Sequence, residues 1–228
     1  MKPQITTTEK ALVILSGGQD STTCLYWALE RFGKRQVETV TFDYGQRHRR
    51  EIDCAKSIAA HAEVSNTVLP IDTFAAIGGD ALTDGKMALP TPDSEPGELP
   101  LTFVPGRNLI FLTYAAAFAW PRNIRHLVGG MAQTDYSGYP DCRRETLDAL
   151  ERALRLGLER EFTIHTPLMY RSKKDTVLLA RELGILAVLG MTHTCYKGVT
   201  PPCGSCAACL LRAKGFAEAE LPDPLIAK

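Results

Sequence analysis

The chain reads as an α/β protein: an open, mostly parallel β-sheet with helices on both faces, plus a small cysteine-bearing C-terminal segment. Three observations predict this. Short β-rich runs alternate with helical patterns along the chain, the first of these runs leads straight into a double-glycine turn, and four of seven cysteines fall between 195 and 209.

The elements follow in order. ALVILS (11–16), VETVTFDY (37–44), NTVLPI (66–71) and HLVGGM (126–131) are short apolar or β-branched runs of strand length. The first helical stretch, Ser21 to Phe32, sets Leu25, Leu29 and Phe32 at core-facing spacing, and the second, about 49–62, does the same with Ile52, Ala55, Ile58 and Ala59. NLIFLTYAAAFAW (108–120) is almost wholly apolar and predicts a buried helix. Leu147, Leu150, Leu154 and Leu158 form one helical stripe ahead of the strand-like FTIHTPL (162–168). Ser172 to Asp175, SKKD, is a capping box that opens a helix, and Gly184 closes it. Residues 78–107 break the alternation. They are rich in Gly, Pro and Asp and too long for a plain connection, which predicts a substrate lid or a disordered insert. The expected division is an α/β domain over 1–190 and a metal-binding segment over 191–228.

Bulk properties narrow the function. In 228 residues, 26 Lys and Arg balance 26 Asp and Glu for a net charge of +0, so no global field draws the protein to nucleic acid or anionic lipid. Any polyanion it holds must be small or locally gripped. No apolar run approaches a membrane span and no cleavable leader is recognisable, so a cytoplasmic location is expected. An odd, clustered set of cysteines fits a metal site in a reducing compartment better than a disulfide framework.

The double-glycine turn is LSGGQDS (15–21). Paired glycines allow positive φ and close backbone approach, so the amides of Gly17, Gly18 and Gln19 can face one concavity at a helix N-terminus, where the dipole favours an anion. Ser16 and Ser21 add hydroxyls, and Asp20 can hold Mg²⁺. The stretch lacks the spacing and lysine of a Walker A loop and the third glycine of a dinucleotide fingerprint. A bare SGG is common in ligand-free turns; the full S-G-G-x-D-S between a strand and an amphipathic helix is far more specific.

Cys195-x₇-Cys203-x₂-Cys206-x₂-Cys209 supplies four thiolates from one short segment, enough to close a tetrahedral Zn²⁺ site with no open position. An iron–sulfur cluster is the competing reading, but the fourth ligand lies upstream and the C-x₃-C-P ending is missing. His193 is near enough to be a substitute ligand, though four cysteines make it unnecessary. Cys24, Cys54 and Cys142 are scattered and read as inert packing thiols.

SGGQDS resembles the loop of the PP-loop ATP pyrophosphatase superfamily, which cleaves ATP between the α and β phosphates and adenylates an oxygen of its substrate. FDYGQRH (42–48), FVPGRN (103–108), DYSGYPDC (135–142), THTCYKG and PCGSCAACLLRAKGF extend the match over nearly the whole chain. On these residues the chain resembles the QueC family of 7-cyano-7-deazaguanine synthases. The resemblance implies an adenine nucleotide alpha hydrolase-like fold and an ATP-dependent C–N ligase of queuosine biosynthesis. Its substrates would be 7-carboxy-7-deazaguanine, ammonia and MgATP, and the working form a homodimer with no stable nucleic-acid partner.

The resemblance also implies roles. Leu15, Ser16, Gly17, Gly18, Gln19, Asp20, Ser21 and Thr22 would bind ATP, with Ser16 and Asp20 catalytic. Lys173 would steady the departing pyrophosphate as a point charge. Arg107 could pair bidentately with a carboxylate or phosphate, while Asn108 reads as a helix N-cap. Asp135 and Asp141 would read the donor edge of the base, with Tyr136 or Tyr139 packing on its face and Arg143 or Arg144 meeting its carboxylate. Asp43, Tyr44, Gln46, Arg47 and His48 form a family signature near the nucleotide; without the resemblance, such stretches read as solvated helix starts and polar turns. Two rivals stand against this reading. A tRNA-thiolating PP-loop enzyme needs a tRNA-sized basic surface, and a zinc-containing nucleic-acid-binding regulator leaves LSGGQDS unexplained.

Overall fold

The computed structural model describes residues 8–46, 49–78, 81–83, 99, 102–133 and 139–226. Arg47, His48, Asp135, Tyr136 and most of the expected lid or insert at 78–107 lie outside the described residues.

Five strands form one sheet: β1 (Ala11–Ile14), β2 (Val37–Asp43), β3 (Asn66–Pro70), β4 (His126–Val128) and β5 (Thr163–His165). Their order is β3-β2-β1-β4-β5 and every pairing is parallel. Parallel neighbours require crossovers, which helices supply: α1 (Gln19–Phe32) between β1 and β2, α2 (Arg50–His61) between β2 and β3, α3 (Thr73–Ile77) and α4 (Arg107–Ala119) between β3 and β4, and α5 (Arg144–Leu158) between β4 and β5; α6 (Lys173–Glu182) and α7 (Ala207–Glu218) follow the last strand. The helix expected from Ser21 starts two residues earlier, because the hydroxyls of Ser21 and Thr22 turn back onto the Gly18 carbonyl within the first turn.

The two-residue strand period splits the core. Leu12 and Ile14 of β1 face a layer built on α3, α4 and α5, through Phe74, Phe111, Leu112, Leu147 and Leu154. Ala11, Val13 and Leu15 face the opposite layer of α1 and α2, through Leu25, Ala28, Phe32, Ala55 and Ile58. β1, buried along its whole length, is therefore the axis of the molecule. The chain builds outward from it in one direction through β2 and β3, then crosses to build the other side through β4 and β5. That reversal makes the carboxyl end of β1 a topological switch point, where open α/β sheets leave a crevice.

The C-terminal helix α7 packs on α6 through Val177, Ala180, Phe216 and Ala219. Beneath it Arg212, 5% exposed, holds both carboxylate oxygens of Asp223 at 2.7 Å and also donates to Thr192 Oγ1 and the Leu189 carbonyl. No described helix is long and apolar enough to cross a membrane.

Replacing Asp223 by Ala leaves the buried Arg212 charge uncompensated and should cost about 3 kcal/mol or more in urea unfolding. The double variant Arg212→Met/Asp223→Leu should recover part of that loss, because no lone charge is left inside.

Candidate active site

The LSGGQDS turn sits at the carboxyl end of β1, in the switch-point crevice. Gly17 has φ +84°, and a Cβ there would lie 2.2 Å from the Glu51 carbonyl oxygen and 2.8 Å from the Ala55 nitrogen, both backbone atoms of α2. Only glycine fits. Gly18 is the N-cap of α1 and no side chain caps the helix, so its first amides keep the positive end of the dipole open to an anion. Ser16, exposed at the mouth, lies 3.0 Å from Ser21 Oγ and accepts a long 3.4 Å bond from the Gly18 amide. Gly130, in the turn after β4, packs against the same helix start: a Cβ on it would reach Ser21 N at 3.2 Å.

Lys173, the first residue of α6, reaches 153 positions back in sequence to donate to Asp20 Oδ2 at 2.5 Å. The capping box expected at Ser172 is formed, with Ser172 Oγ accepting from Asp175 N and the Asp175 carboxylate accepting from Ser172 N. It fixes where α6 begins and hence where Lys173 stands. The other Asp20 oxygen, Oδ1, is buried with no hydrogen-bond partner, as are Gln19 Nε2 and Thr194 Oγ1 beside it. Buried polar atoms left open around a helix N-terminus mark a place for a ligand, and an open carboxylate oxygen suits a divalent cation.

A second group of residues surrounds Arg107. This arginine donates to Tyr44 Oη at 3.4 Å, and its guanidinium carbon lies 5.7 Å from the Tyr44 ring centre. Burial works against its charge, but Tyr44, Tyr139, Asp141 and Tyr196 together hold its pKa above the usual arginine value. Tyr139 exchanges a 2.7 Å hydrogen bond with Thr102 and packs on Phe103. Burial, then proximity to Tyr139, raises the Tyr196 hydroxyl, while Arg107 acts in the opposite sense. The Glu51 carboxyl is pushed up to about 7 by burial, with Arg107 pulling it down. A cation bordered by three tyrosines and two carboxyls can receive a flat, hydrogen-bonding, anionic ligand.

At the far side, the sulfurs of Cys195, Cys203, Cys206 and Cys209 lie within 4.8 Å of one another, with Cys203 and Cys209 at 3.9 Å. Four thiolates about 2.3 Å from a tetrahedral ion sit roughly 3.8 Å apart, so the set can hold one metal ion. The Cys203 sulfur accepts from Ser205 Oγ at 3.5 Å and from the Cys206 amide at 3.4 Å, which favours thiolate; the Ser205 hydroxyl is the main reason its pKa falls to about 5. Cys24 is buried, and burial pushes its thiol far up, in keeping with an inert packing role.

The family model described as "Queuosine biosynthesis protein QueC" matches residues 10–220. The chain belongs to the QueC family. A 7-cyano-7-deazaguanine synthase from Chromobacterium violaceum is 68% identical over 218 residues, spanning 96% of this chain and 93% of the relative. One from Laribacter hongkongensis is 65% identical over 96% and 94%, and one from Bacillus subtilis 49% identical over 92% and 94%.

In this QueC-family chain Leu15 to Thr22, Asp20 and Lys173 converge on one loop, and Arg107 and Tyr139 meet in the neighbouring cluster. Asp141 faces that cluster but commits Oδ2 to the Asn108 amide at 3.0 Å, leaving Oδ1 buried and open. Asn108, expected as an N-cap, is instead the second residue of α4; Gly106 occupies the cap and the Asp141 carboxylate does the capping from another element. Arg143 is exposed at the N-cap of α5, whereas Arg144 is half-buried against Thr166 and Asp148. Asp43 is engaged by Arg49. Glu51 and Tyr196 were not singled out from sequence. Tyr196 stands inside the quoted THTCYKG, where Cys195 and His193 are the residues with metal-ligand chemistry, and no local pattern marks Glu51.

Gly17→Ala should destabilise the fold by at least ~2 kcal/mol, from positive-φ strain plus the α2 collision, while Gly18→Ala, with nothing closer than 3.5 Å, should unfold within about 1 kcal/mol of wild type. Urea titration compares them. Glu51 carries a folded-state pKa above the ordinary 4.5, so its contribution to stability is complete below pH 4.5 and is lost as pH rises to about 7. Glu51→Gln lacks that loss. Its melting temperature relative to wild type should climb from pH 4.5 to 7.5, by an amount worth at most about 3 kcal/mol.

Proposed function

We propose that this chain converts 7-carboxy-7-deazaguanine and ammonia to 7-cyano-7-deazaguanine at the expense of ATP, as an ATP-dependent C–N ligase of queuosine biosynthesis. The observation that carries the proposal is the meeting of Lys173 and Asp20 over an uncapped S-G-G-x-D-S helix start, in a chain of the QueC family. The names of the relatives supply the product; the site supports the chemistry.

A carboxylate resists ammonia because its charge repels a nucleophile and oxide is a poor leaving group. ATP removes both obstacles. The substrate carboxylate oxygen attacks the α phosphorus, the bond to pyrophosphate breaks, and an acyl adenylate results. Ammonia adds to its carbonyl carbon, AMP leaves, a proton is released, and a primary amide remains. In a second round the amide oxygen attacks the α phosphorus of another ATP and the bond to pyrophosphate breaks; loss of AMP and of the two N–H protons from the adenylated amide then gives the nitrile. Acid and amide have nearly the same shape, so one site can serve both rounds.

The chain's residues act on the charge that moves. The amides of Gly17 and Gly18 and the hydroxyl of Ser16 receive the phosphates, and preorganised donors there stabilise the charge that develops on pyrophosphate. Lys173 leaves Asp20 for the departing oxygens. Arg107 binds the substrate carboxylate, with Tyr139 and the free Asp141 oxygen against the base; Asp135 and Arg143 belong to the same proposal. Asp20, through its open Oδ1, would hold Mg²⁺, which would supply positive charge to offset that of the phosphates. Zn²⁺ held by Cys195, Cys203, Cys206 and Cys209 of the 191–228 segment would be structural, since four protein thiolates leave it no open position. As part of this proposal the enzyme works in the cytoplasm as a homodimer, without a stable nucleic-acid partner.

Incubation with 7-carboxy-7-deazaguanine, ammonium and MgATP should yield the nitrile mass and AMP. Amide as the sole end product under excess ATP and ammonia would exclude the two-round scheme. Lys173→Gln should lower kcat/KM for ATP by about 10²-fold or more, and Ser16→Ala and Asp20→Asn should each lower it too. Native mass spectrometry should find one zinc per chain, and a strong chelator should lower the melting temperature.

A further inference from the structure

The two glycines that open the loop to an anion also leave it free to turn the wrong way. The Gly17 carbonyl and the Gly18 amide belong to one planar trans peptide and point in opposite directions. Rotating that unit by half a turn changes only ψ of Gly17 and φ of Gly18, and neither residue has a Cβ to oppose the rotation. In one orientation the cradle presents an N–H to a phosphate. In the other it presents a carbonyl oxygen, and the dipole repels what it should bind. Something outside the loop must choose.

The choice is made by residue 193. The backbone amide of His193 donates to the Gly17 carbonyl at 2.9 Å, which turns the Gly18 amide the other way, toward the exposed Ser16 hydroxyl at 3.4 Å. That long contact is one a phosphate oxygen can replace. His193 is 4% exposed, and its carbonyl stands 3.6 Å from where a Gly18 Cβ would be, so the strap lies flat on the loop. The strap is itself held. The His193 ring donates from Nε2 to the Cys195 carbonyl at 3.0 Å, folding the side chain over its own backbone, and Cys195 is a member of the four-cysteine set. On the other flank Arg212 grips Thr192 through its hydroxyl at 2.7 Å.

We propose that His193 is a positioning residue: its ring bond to Cys195 holds its backbone amide on the Gly17 carbonyl, and that bond locks the Gly17–Gly18 peptide in the orientation that binds nucleotide. The metal segment thereby acts on ATP affinity through one peptide unit. The inference rests on the loop being the ATP site, and assigns it a part outside the LSGGQDS motif.

The test uses full-length, metal-loaded protein and α,β-methylene-ATP, whose bridge cannot be cleaved, with calorimetric Kd, intact-mass metal content and steady-state KM. His193→Ala should keep its metal yet bind the analogue at least tenfold more weakly and show a matching rise in KM for ATP, with KM for the deazaguanine acid within twofold of wild type. His193→Gln, whose side-chain amide carries a donor at the same reach as Nε2, should restore Kd to within about twofold. Wild-type nucleotide affinity in metal-retaining His193→Ala overturns the lock while leaving the proposed reaction standing. Should His193→Ala fail to fold or lose its metal, His193→Gln decides: near wild-type Kd supports the lock, and a tenfold weaker Kd in a folded, metalled protein overturns it. No binding by wild type overturns both the ATP site and the lock.

Discussion

A side chain that is not there organises this molecule. The backbone of α2 approaches Gly17 so closely that a single added carbon would lie 2.2 Å from a carbonyl oxygen. Because α2 can come that near, the loop leaving β1 is pressed flat between α2 and the C-terminal strap, and α1 starts at once with its amides uncovered. Excluded volume alone therefore sets the loop's path. Hydrogen bonds then set its orientation, and charge sets what it can hold.

Charge is handled at two adjoining places. Over the loop, Lys173 neutralises one oxygen of Asp20 and leaves the other open, so the resting site is satisfied enough to be stable and open enough to receive phosphates and a cation. Next to it, Arg107 is kept charged despite burial by tyrosines and by Asp141, which spends its second oxygen on the start of α4. One carboxylate thus links the helix that carries Arg107 to the cluster around it. The C-terminal segment reaches both places: Tyr196 enters the Arg107 cluster, and Gly215 of α7 lies against Lys173, where a Cβ would come within 2.8 Å of the lysine Cβ.

Much of this was legible in the sequence, for physical reasons that differ by element. The stripe Leu147, Leu150, Leu154 and Leu158, the SKKD cap and the Gly184 stop act within one or two helical turns, so local spacing encodes them. LSGGQDS was legible as a strand-to-helix turn because paired glycines at a helix start are a local feature. The four cysteines were legible because a metal accepts few ligand types at few spacings. Asn108 was misread for the complementary reason: the group that caps α4 comes from residue 141, and no short-range pattern reports a partner 33 positions away.

By itself the sequence determined an α/β sheet, a double-glycine strand-to-helix turn after the first strand and a four-cysteine segment, since each is written in contacts between near neighbours. Only the tertiary structure decided that β1 is the central strand with β4 on its far side, that Lys173 meets Asp20, that Glu51 and Tyr196 join Arg107, and that His193 grips the Gly17 carbonyl. These are pairings across tens to more than a hundred residues. They exist only once burial of two apolar faces has closed the sheet and brought distant polar groups to the same end of it.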